Sequence, residues 1–102
     1  MPSTSGKRRR YRLTPLAASD LENIWLYTFE QWSREQADRY YRDLLEAIEA
    51  LARGTRTGRQ VDIREGYFKY AVDQHFVFYR LSATTLDVVR ILHRRMDIDR
   101  HL

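Results

Sequence analysis

The sequence has few of the residues that mark many small functional domains: it contains no cysteine, two prolines and four glycines among 102 residues. Without cysteine, the chain forms no disulfide framework, no thiolate metal site and no thiol nucleophile. Its apolar runs are far shorter than the roughly 20 residues of a transmembrane helix, and we expect no signal-peptide core near the N-terminus. These absences, together with the length, predict one soluble globular domain that is not bound to a membrane.

Common catalytic motifs are missing as well. The three histidines, His75, His93 and His101, lack the spacing of a metal site, and Gly54–Arg59 lacks the lysine of a phosphate-binding loop. The sequence has no Gly-x-Ser-x-Gly element, and the many carboxylates of the predicted helices are typical of a solvated face. We therefore expect neither a metal nor a cofactor.

The net charge of +4 is unevenly distributed along the chain. The run Lys7–Arg10 supplies four positive charges, so the rest of the chain is neutral overall. Within that remainder, residues 20–50 carry five more acids than bases, whereas residues 51–102 carry four more bases than acids. We predict that residues 1–10 form a disordered basic tail and that residues 11–102 form a single domain. An anionic partner is expected to prefer the C-terminal half.

Two helices are predicted after a short first strand. Residues 11–14 favour an extended strand, which Pro15 ends. Ser19–Glu22 has the pattern of a capping box and predicts a helix start, and Ser33 opens a second capping sequence directly after the first helix. Apolar residues recur at three- and four-residue steps in both segments, and Gly54 is placed to end the second helix. The two helices are therefore predicted to form an antiparallel hairpin.

Four segments after the helices are rich in β-branched and aromatic residues, namely 61–65, 67–73, 75–82 and 86–93. They predict sequential antiparallel strands, with Gly66 as a bulge that makes the first two segments one bent strand. The expected fold class is α+β, in the order β-α-α-β-β-β, with the helical hairpin packed on a small antiparallel sheet. Both faces of the last two strands carry apolar residues, so the C-terminal segment, a second chain or a ligand must cover the face away from the helices.

Basic and aromatic residues gather on or beside the last strands. They are Lys69, Tyr79, Arg80, Arg90, His93, Arg94 and Arg95. Such a set can bind RNA phosphates, with His93 or Tyr79 moving a proton and an arginine stabilising charge at phosphorus. The alternative, which the residue types alone favour, is structural: the aromatic residues fill the sheet and the arginines pair with nearby aspartates.

Several runs in the C-terminal half carry a family resemblance. They are Gly66–Tyr70, His75–Arg80, Val89–Asp97 with its Ile-Leu-His-x-x-Met-Asp motif, and Arg100–Leu102. These runs closely resemble ParE-type toxins of the RelE/ParE superfamily of bacterial toxin–antitoxin proteins. The helical hairpin and the region Gly58–Tyr67 agree with the same pattern, so that the resemblance covers residues 11–102.

The resemblance implies the toxin of a type II toxin–antitoxin system, which inhibits DNA gyrase, blocks replication and is neutralised by a ParD-like antitoxin in a hetero-oligomer. It further implies a bacterial cytoplasmic protein, a role in plasmid stabilisation and no enzymatic activity. We expect no sequence-specific DNA binding by this chain alone, because it has no helix-turn-helix or ribbon-helix-helix pattern. The RelE branch shares the fold and cleaves messenger RNA on the ribosome, which is the alternative function.

Expected site residues follow from the resemblance and from the patterns above. Target contacts are expected at Arg90, His93, Arg94, Arg95, Met96 and Asp97. Antitoxin contacts are expected at Trp25, Phe29, Tyr40, Tyr41 and Leu44. A gyrase inhibitor needs no catalytic residue, whereas the ribonuclease alternative uses Arg80, Arg90, His93, Tyr79 and Lys69.

Overall fold

The structure, a computed structural model, describes residues 8–102 and contains five strands, two long helices and one short helix. In chain order they are β1 (Arg10–Leu13), α1 (Pro15–Gln31), α2 (Arg34–Arg53), β2 (Arg59–Gln60), β3 (Tyr67–Val72), β4 (His75–Leu81), β5 (Thr85–His93) and α3 (Ile98–His101). The strands form one sheet in the order β1-β5-β4-β3-β2. The predicted α+β fold, with a helical hairpin on a sheet, is confirmed. Neighbouring strands are antiparallel except that β1 runs parallel to β5, so the sheet is mixed.

The ordered chain begins before the predicted domain boundary. Residues 1–7 of the predicted tail lie outside the described residues, but Arg10 is already the first residue of β1. The backbone N–H of Arg9 donates to the carbonyl of Ala52 over 2.8 Å, and Arg9 Nε donates to the carbonyl of Ser82 over 2.7 Å. Arg9 and Arg10 are therefore hydrogen-bonded to the folded domain. Backbone hydrogen bonds order this segment although it has no apolar periodicity.

Helix α1 begins four residues before the predicted start at Ser19, which is therefore wrong. Thr14 is the N-cap, because its Oγ1 accepts a hydrogen bond from the N–H of Ala17 over 3.1 Å. Pro15 fits the first helical position, where no N–H donor is needed. The additional turn places Ala17 in the core beside Leu21. Within residues 8–102, none of the helices is long and apolar enough to cross a membrane.

Helix α2 begins and ends where the sequence predicts. Ser33 Oγ accepts from the N–H of Gln36 over 3.1 Å, and Gly54 adopts a left-handed conformation with φ 83°. The buried face of the helix consists of small and aliphatic residues, Ala37, Leu44, Ala47, Ile48, Ala50, Leu51 and Ala52. Burial of each leucine or isoleucine contributes about 1.5–3 kcal/mol, and this face holds the hairpin on the sheet.

Residues 61–65, predicted as a strand, form a turn instead. Only Arg59–Gln60 pairs with β3, as the edge strand β2. The side chain of Val61 is buried, and its N–H donates to the carbonyl of Tyr67 over 2.9 Å, which closes the turn. Gly66 adopts φ 84° at the end of this turn and is not the predicted bulge. Val61 therefore fills the core from a turn, whereas Ile63 of the same segment is exposed.

Two apolar clusters lie on opposite faces of the sheet. Val77 belongs to the cluster beneath the helices, whereas its neighbour Phe78 belongs to the other cluster, as alternating strand residues require. Ile98 and Leu102 of the C-terminal segment pack against this second cluster, which also contains Leu92. The C-terminal segment therefore covers part of the second apolar face. It is one of the three possible covers that the sequence allowed, the others being a second chain and a ligand.

Candidate interaction sites

The hairpin is attached to the sheet where β1 ends and β5 continues alone. Beyond Leu13, the edge of β5 has no strand neighbour in the described part of the chain. Thr14 takes over the pairing, because its N–H donates to the carbonyl of Val88 and its Oγ1 to that of Val89, both over 3.0 Å. Further along the same edge, the carboxylate of Asp20 in α1 accepts a hydrogen bond from the N–H of Ile91 over 2.9 Å. Side chains of α1 thus replace a missing strand.

Arg90 is bound at the same edge. Its Nε and one terminal nitrogen donate to both carboxylate oxygens of Asp20 over 2.8 and 2.9 Å. The other terminal nitrogen reaches the carbonyl of His101 over 3.4 Å. The hydrogen bond that Arg90 donates to Asp20 is the main cause that raises the pKa of Arg90 above its ordinary value. Arg90 therefore connects α1, β5 and α3, and its guanidinium is already occupied.

A chain of polar rings lies where the hairpin meets the far end of the sheet. The hydroxyl of Tyr40 contacts the carbonyl of Val72 over 2.9 Å and Nδ1 of His75 over 2.8 Å. Because a carbonyl only accepts, the hydroxyl donates to Val72, and Nδ1–H of His75 donates to the hydroxyl. The Nε2 atom of His75 is consequently a free acceptor. The ring of His93, directly opposite on β5, lies edge-on at 5.3 Å.

Burial shifts the proton affinities of this chain of rings. Desolvation, followed by the nearby ring of His93, lowers the pKa of His75 to about 4. Desolvation also raises the pKa of Tyr40 to about 12. His75 is therefore neutral at pH 7. A cavity of about 480 Å³ opens above these rings, between Tyr27 of α1, Trp32 directly after that helix, and the turn after β3.

The residues of the ribonuclease alternative are dispersed and mostly engaged. Tyr79 is 2% exposed, and its hydroxyl accepts from the N–H of Gly58 over 2.8 Å, so it is a core residue. Desolvation raises the pKa of Tyr79. Lys69 Nζ lies 4.7 Å from the ring centre of Phe76, on the second face of the sheet. Arg80 lies on that face as well, whereas His93 lies with the hairpin. The geometry therefore does not bring these side chains together around one reacting atom.

The predicted target-binding run follows β5 and is largely exposed. Arg94, Arg95 and Met96 are exposed, and Met96 presents 39% of its surface. His93 is partly buried, and its Nδ1 accepts from the N–H of Arg95 over 3.1 Å, which fixes the turn. Asp97 caps α3 by accepting from the N–H of Asp99. The exposed part of the predicted set is thus the turn between β5 and α3.

The predicted antitoxin-binding residues divide into surface and core. Trp25 and Phe29 stack with ring centres 5.2 Å apart on the outer side of α1, where Phe29 is 45% exposed. Tyr41 is also exposed, and it lines a cavity of about 460 Å³ with Trp25 between the two helices. Tyr40 is half-buried in the chain of rings described above. Leu44 is fully buried beneath the hairpin, so it is a core residue and offers no surface to a partner.

Sequence reasoning missed two residues that shape these sites. Asp20 was assigned to a capping box, because its sequence neighbours Ser19 and Glu22 have that pattern. Gly58 lies in the segment Gly54–Arg59, which the sequence distinguishes only from a phosphate-binding loop. A Cβ at this position would lie 2.4 Å from the carbonyl oxygen of Lys69 and 2.7 Å from the hydroxyl of Tyr79. Neither role has a local signal, because both depend on partners distant in the sequence.

The architecture described above is also found in chains of solved toxin–antitoxin systems. A chain of the chromosomal ParDE system of P. aeruginosa has a TM-score of 0.74 at 19% identity, covering 83% of this chain and 95% of that chain. A chain of the toxin–antitoxin complex RelBE2 of Mycobacterium tuberculosis has a TM-score of 0.64 at 24% identity, covering 87% and 94%. The chain therefore shares its fold with these two chains.

Sequence comparison is more specific. Residues 11–98 match the family described as the ParE toxin of the type II toxin–antitoxin system parDE. Toxin ParE1 of Mycobacterium tuberculosis is 47% identical over 95 residues, which cover 91% of this chain and 97% of that protein. The chain belongs to the ParE toxin family of type II toxin–antitoxin systems.

Proposed function

We propose that this chain is a toxin that inhibits DNA gyrase without enzymatic activity and is neutralised by a ParD-like antitoxin. The observation that carries the proposal is the match to the ParE family over residues 11–98, together with 47% identity to Toxin ParE1. The RelE-like alternative needs basic and aromatic residues around a bound phosphate. Here Tyr79 is buried and Arg90 is paired with Asp20, which favours the non-enzymatic function.

The gyrase contact is proposed at the turn between β5 and α3. Arg94, Arg95 and Met96 are exposed there and follow the two anchors that hold the turn, the Arg90–Asp20 pair and the hydrogen bond to His93. A turn fixed on both sides presents its side chains with little loss of entropy on binding. Arg90 itself supports this surface by its ion pair, whereas the residues that follow it make the contact.

The antitoxin contact is proposed on the outer side of the hairpin. Trp25, Phe29 and Tyr41 form an aromatic surface there, beside the cavity between the helices, and of the three Phe29 and Tyr41 are exposed while Trp25 is partly buried. Exposed aromatic residues of this kind provide much of the binding energy in protein interfaces. An amphipathic helix of the antitoxin fits such a surface by its apolar side. The partner surface and the target surface would then lie on different elements.

The proposal is tested by supercoiling of relaxed plasmid with purified gyrase, titrated with the folded chain. We expect dose-dependent inhibition that added antitoxin reverses. A variant with Arg94→Gln, Arg95→Gln and Met96→Ala should inhibit at least tenfold less, whereas Arg53→Gln, an exposed arginine at the end of α2, should inhibit as the parent chain does. Circular dichroism of both variants checks that the fold is kept.

The contrary outcomes are distinct. A folded chain that stops bacterial growth but leaves supercoiling intact would remove gyrase as the target. Cleavage of messenger RNA in translating ribosomes by the same preparation would establish the ribonuclease alternative. Inhibition that antitoxin does not reverse would contradict the neutralisation part alone.

A further inference from the structure

The five strands are almost free of acidic residues. Together they carry six basic residues, Arg10, Arg12, Arg59, Lys69, Arg80 and Arg90, and one acid, Asp87. Helices α1 and α2 carry the opposite balance, with eight acids and four arginines. The strands of the sheet and the two long helices therefore carry charge of opposite sign.

Strand register places most of these strand cations on the face away from the helices. Residues directly opposite each other on paired strands point to the same face. Arg12 and Arg80 both lie opposite Asp87, and Phe78, a residue of the second-face cluster, lies opposite Lys69. Lys69 in turn lies opposite Arg59 on the edge strand. Because neighbouring strands are about 4.8 Å apart, these cations cover the width of the sheet.

Aromatic rings hold the cations of this face in place. The guanidinium carbons of Arg64 and Arg80 lie 4.9 and 5.4 Å from the ring centre of Tyr67. Lys69 Nζ and the guanidinium carbon of Arg94 lie 4.7 and 5.5 Å from the ring centre of Phe76. Each contact contributes about 0.5–1 kcal/mol at exposed sites and restricts a long side chain. The cations are therefore preordered without being neutralised.

Asp87 compensates little of this charge. Its carboxylate accepts from Arg12 over 2.8 and 3.1 Å, and this hydrogen bond is the main cause that lowers the pKa of Asp87. Arg80 lies directly opposite the same carboxylate on β4. Arg64, Lys69 and Arg59 have no ion pair with an aspartate or glutamate within residues 8–102, and Arg64 donates to the carbonyl of Leu102. The second face thus carries six cations against one strand carboxylate, beside the C-terminal segment that packs on Phe78 and Leu92. We call this set the basic sheet face: Arg12, Arg59, Arg64, Lys69, Arg80 and Arg94.

We propose that the basic sheet face binds the phosphate backbone of double-helical DNA without sequence specificity. Duplex DNA carries one negative charge per about 1.7 Å of its axis, which suits a broad rigid array of cations. Proteins that bind single strands use open aromatic faces for base stacking. Here the rings of Tyr67 and Phe76 are already engaged by cations, so contacts to phosphate predominate. A flexible acidic peptide would have to become ordered across five strands, which costs conformational entropy.

This inference does not depend on gyrase inhibition, and its test uses the isolated full-length chain. Anisotropy of a labelled 20-bp duplex is measured between 50 and 200 mM salt. We expect micromolar binding at low salt that weakens steeply with salt. A variant with Arg59→Gln, Lys69→Gln and Arg80→Gln should weaken binding more than tenfold at 50 mM salt and reduce the slope of log K against log salt by about 2 to 3.

Two matched controls keep the test decisive. The charge-preserving variant Arg59→Lys, Lys69→Arg and Arg80→Lys should bind as the parent chain does, because phosphate contacts depend mainly on charge. The variant Arg39→Gln, Arg42→Gln and Arg53→Gln removes the same charge from α2 and should also retain binding. Equal losses in the two neutralised variants would overturn the proposal, as would no duplex binding at 50 mM salt. Tighter binding of polyglutamate than of the duplex would also overturn the proposal, because it would show that the basic sheet face prefers an acidic protein to DNA.

Discussion

Asp20 and Arg90 lie 70 residues apart in the sequence, and their side chains form a two-pronged ion pair at 2.8 and 2.9 Å. The side chains are 13% and 17% exposed, respectively. The same carboxylate accepts the N–H of Ile91, so one side chain both continues the hydrogen bonding of β5 and holds an arginine. This pair links the helical hairpin to the sheet, and the turn between β5 and α3 follows shortly after Arg90 in the chain.

Removing the carboxylate should therefore destabilise the whole domain. In Asp20→Ala, Arg90 loses its partner in a largely buried position and the N–H of Ile91 loses its acceptor, so we expect unfolding free energy to fall by about 3 kcal/mol. Urea denaturation measures the change. Arg12→Gln removes the ion pair between Arg12 and Asp87, whose side chains are 67% and 31% exposed, and should lower the unfolding free energy far less than Asp20→Ala does. Similar losses in both variants would contradict this ranking.

Gly58 should tolerate no side chain. Its Cβ would meet the backbone carbonyl of Lys69 at 2.4 Å, and it would also displace the hydroxyl of Tyr79 from the N–H of Gly58. We expect Gly58→Ala to lower the unfolding free energy by about 2 kcal/mol, through overpacking and a lost hydrogen bond. Tyr79→Phe, which removes only the hydrogen bond, should cost about 1 kcal/mol. Chemical denaturation of both variants tests this, and an unchanged Gly58→Ala would refute the close approach.

The hairpin and the last three strands could be predicted from the sequence because their signals are local. Ser33 and Gly54 form caps within their own turns, and the alternation of β4 is visible in seven consecutive residues. The start of α1 was misplaced because Ser19–Glu22 offers an equally good capping pattern. Thr14 prevails because it also pairs with β5, and that contact lies 75 residues away in the sequence.

The candidate sites were predictable only as residue types. Composition correctly indicated that basic residues concentrate beside the last strands, but it did not show which of them are paired. Arg90 is bound by Asp20 and Tyr79 is buried, whereas Lys69 and Arg80 lie over aromatic rings on the opposite face from the hairpin. Which arginines are available to a partner depends on tertiary contacts, and a linear pattern contains no information about them.

Stability should depend on the protonation of His75 in weak acid. Burial lowers the pKa of His75 to about 4 in the folded chain, while an unfolded chain takes up the proton near 6.5. The neutral ring therefore stabilises the fold fully above about pH 6.5, and this contribution declines as the pH falls towards 4. Partial exposure of the ring reduces the dependence to about 1 kcal/mol per pH unit at most.

His75→Gln should consequently show a flatter decline of unfolding free energy between pH 6.5 and 4.5 than the parent chain. Carboxylates also titrate in this range, so the quantity that decides is the difference between the two chains at each pH. His101→Gln serves as the matched control, because this side chain lies in α3, away from the rings of Tyr40 and His93. If His75→Gln and the parent chain declined in parallel, the proposed neutral state of His75 would be wrong.

The outer aromatic surface of the hairpin should contribute to antitoxin binding. A substitution there should weaken that binding more than it lowers the stability of the chain. Phe29 is 45% exposed and stacks on Trp25, so Phe29→Ala removes mostly surface area that a partner would cover. We expect binding of a ParD-like antitoxin to weaken by about 2 kcal/mol, or roughly thirtyfold, which calorimetric titration measures. Unfolding free energy of the isolated chain should fall by less than about 1 kcal/mol.

Leu16→Ala provides the comparison, because Leu16 lies in the first turn of the same helix and is 58% exposed. It removes a similar apolar area at the opposite end of α1, and we expect antitoxin affinity to remain unchanged. If antitoxin binding depended on a general apolar attraction, both substitutions would weaken it equally. If the antitoxin binds at the Trp25–Phe29 stack, only Phe29→Ala weakens the binding. Co-expressed antitoxin should therefore prevent growth arrest less well with Phe29→Ala than with Leu16→Ala. A toxin that binds its antitoxin thirtyfold more weakly is free in a larger fraction at the same antitoxin concentration.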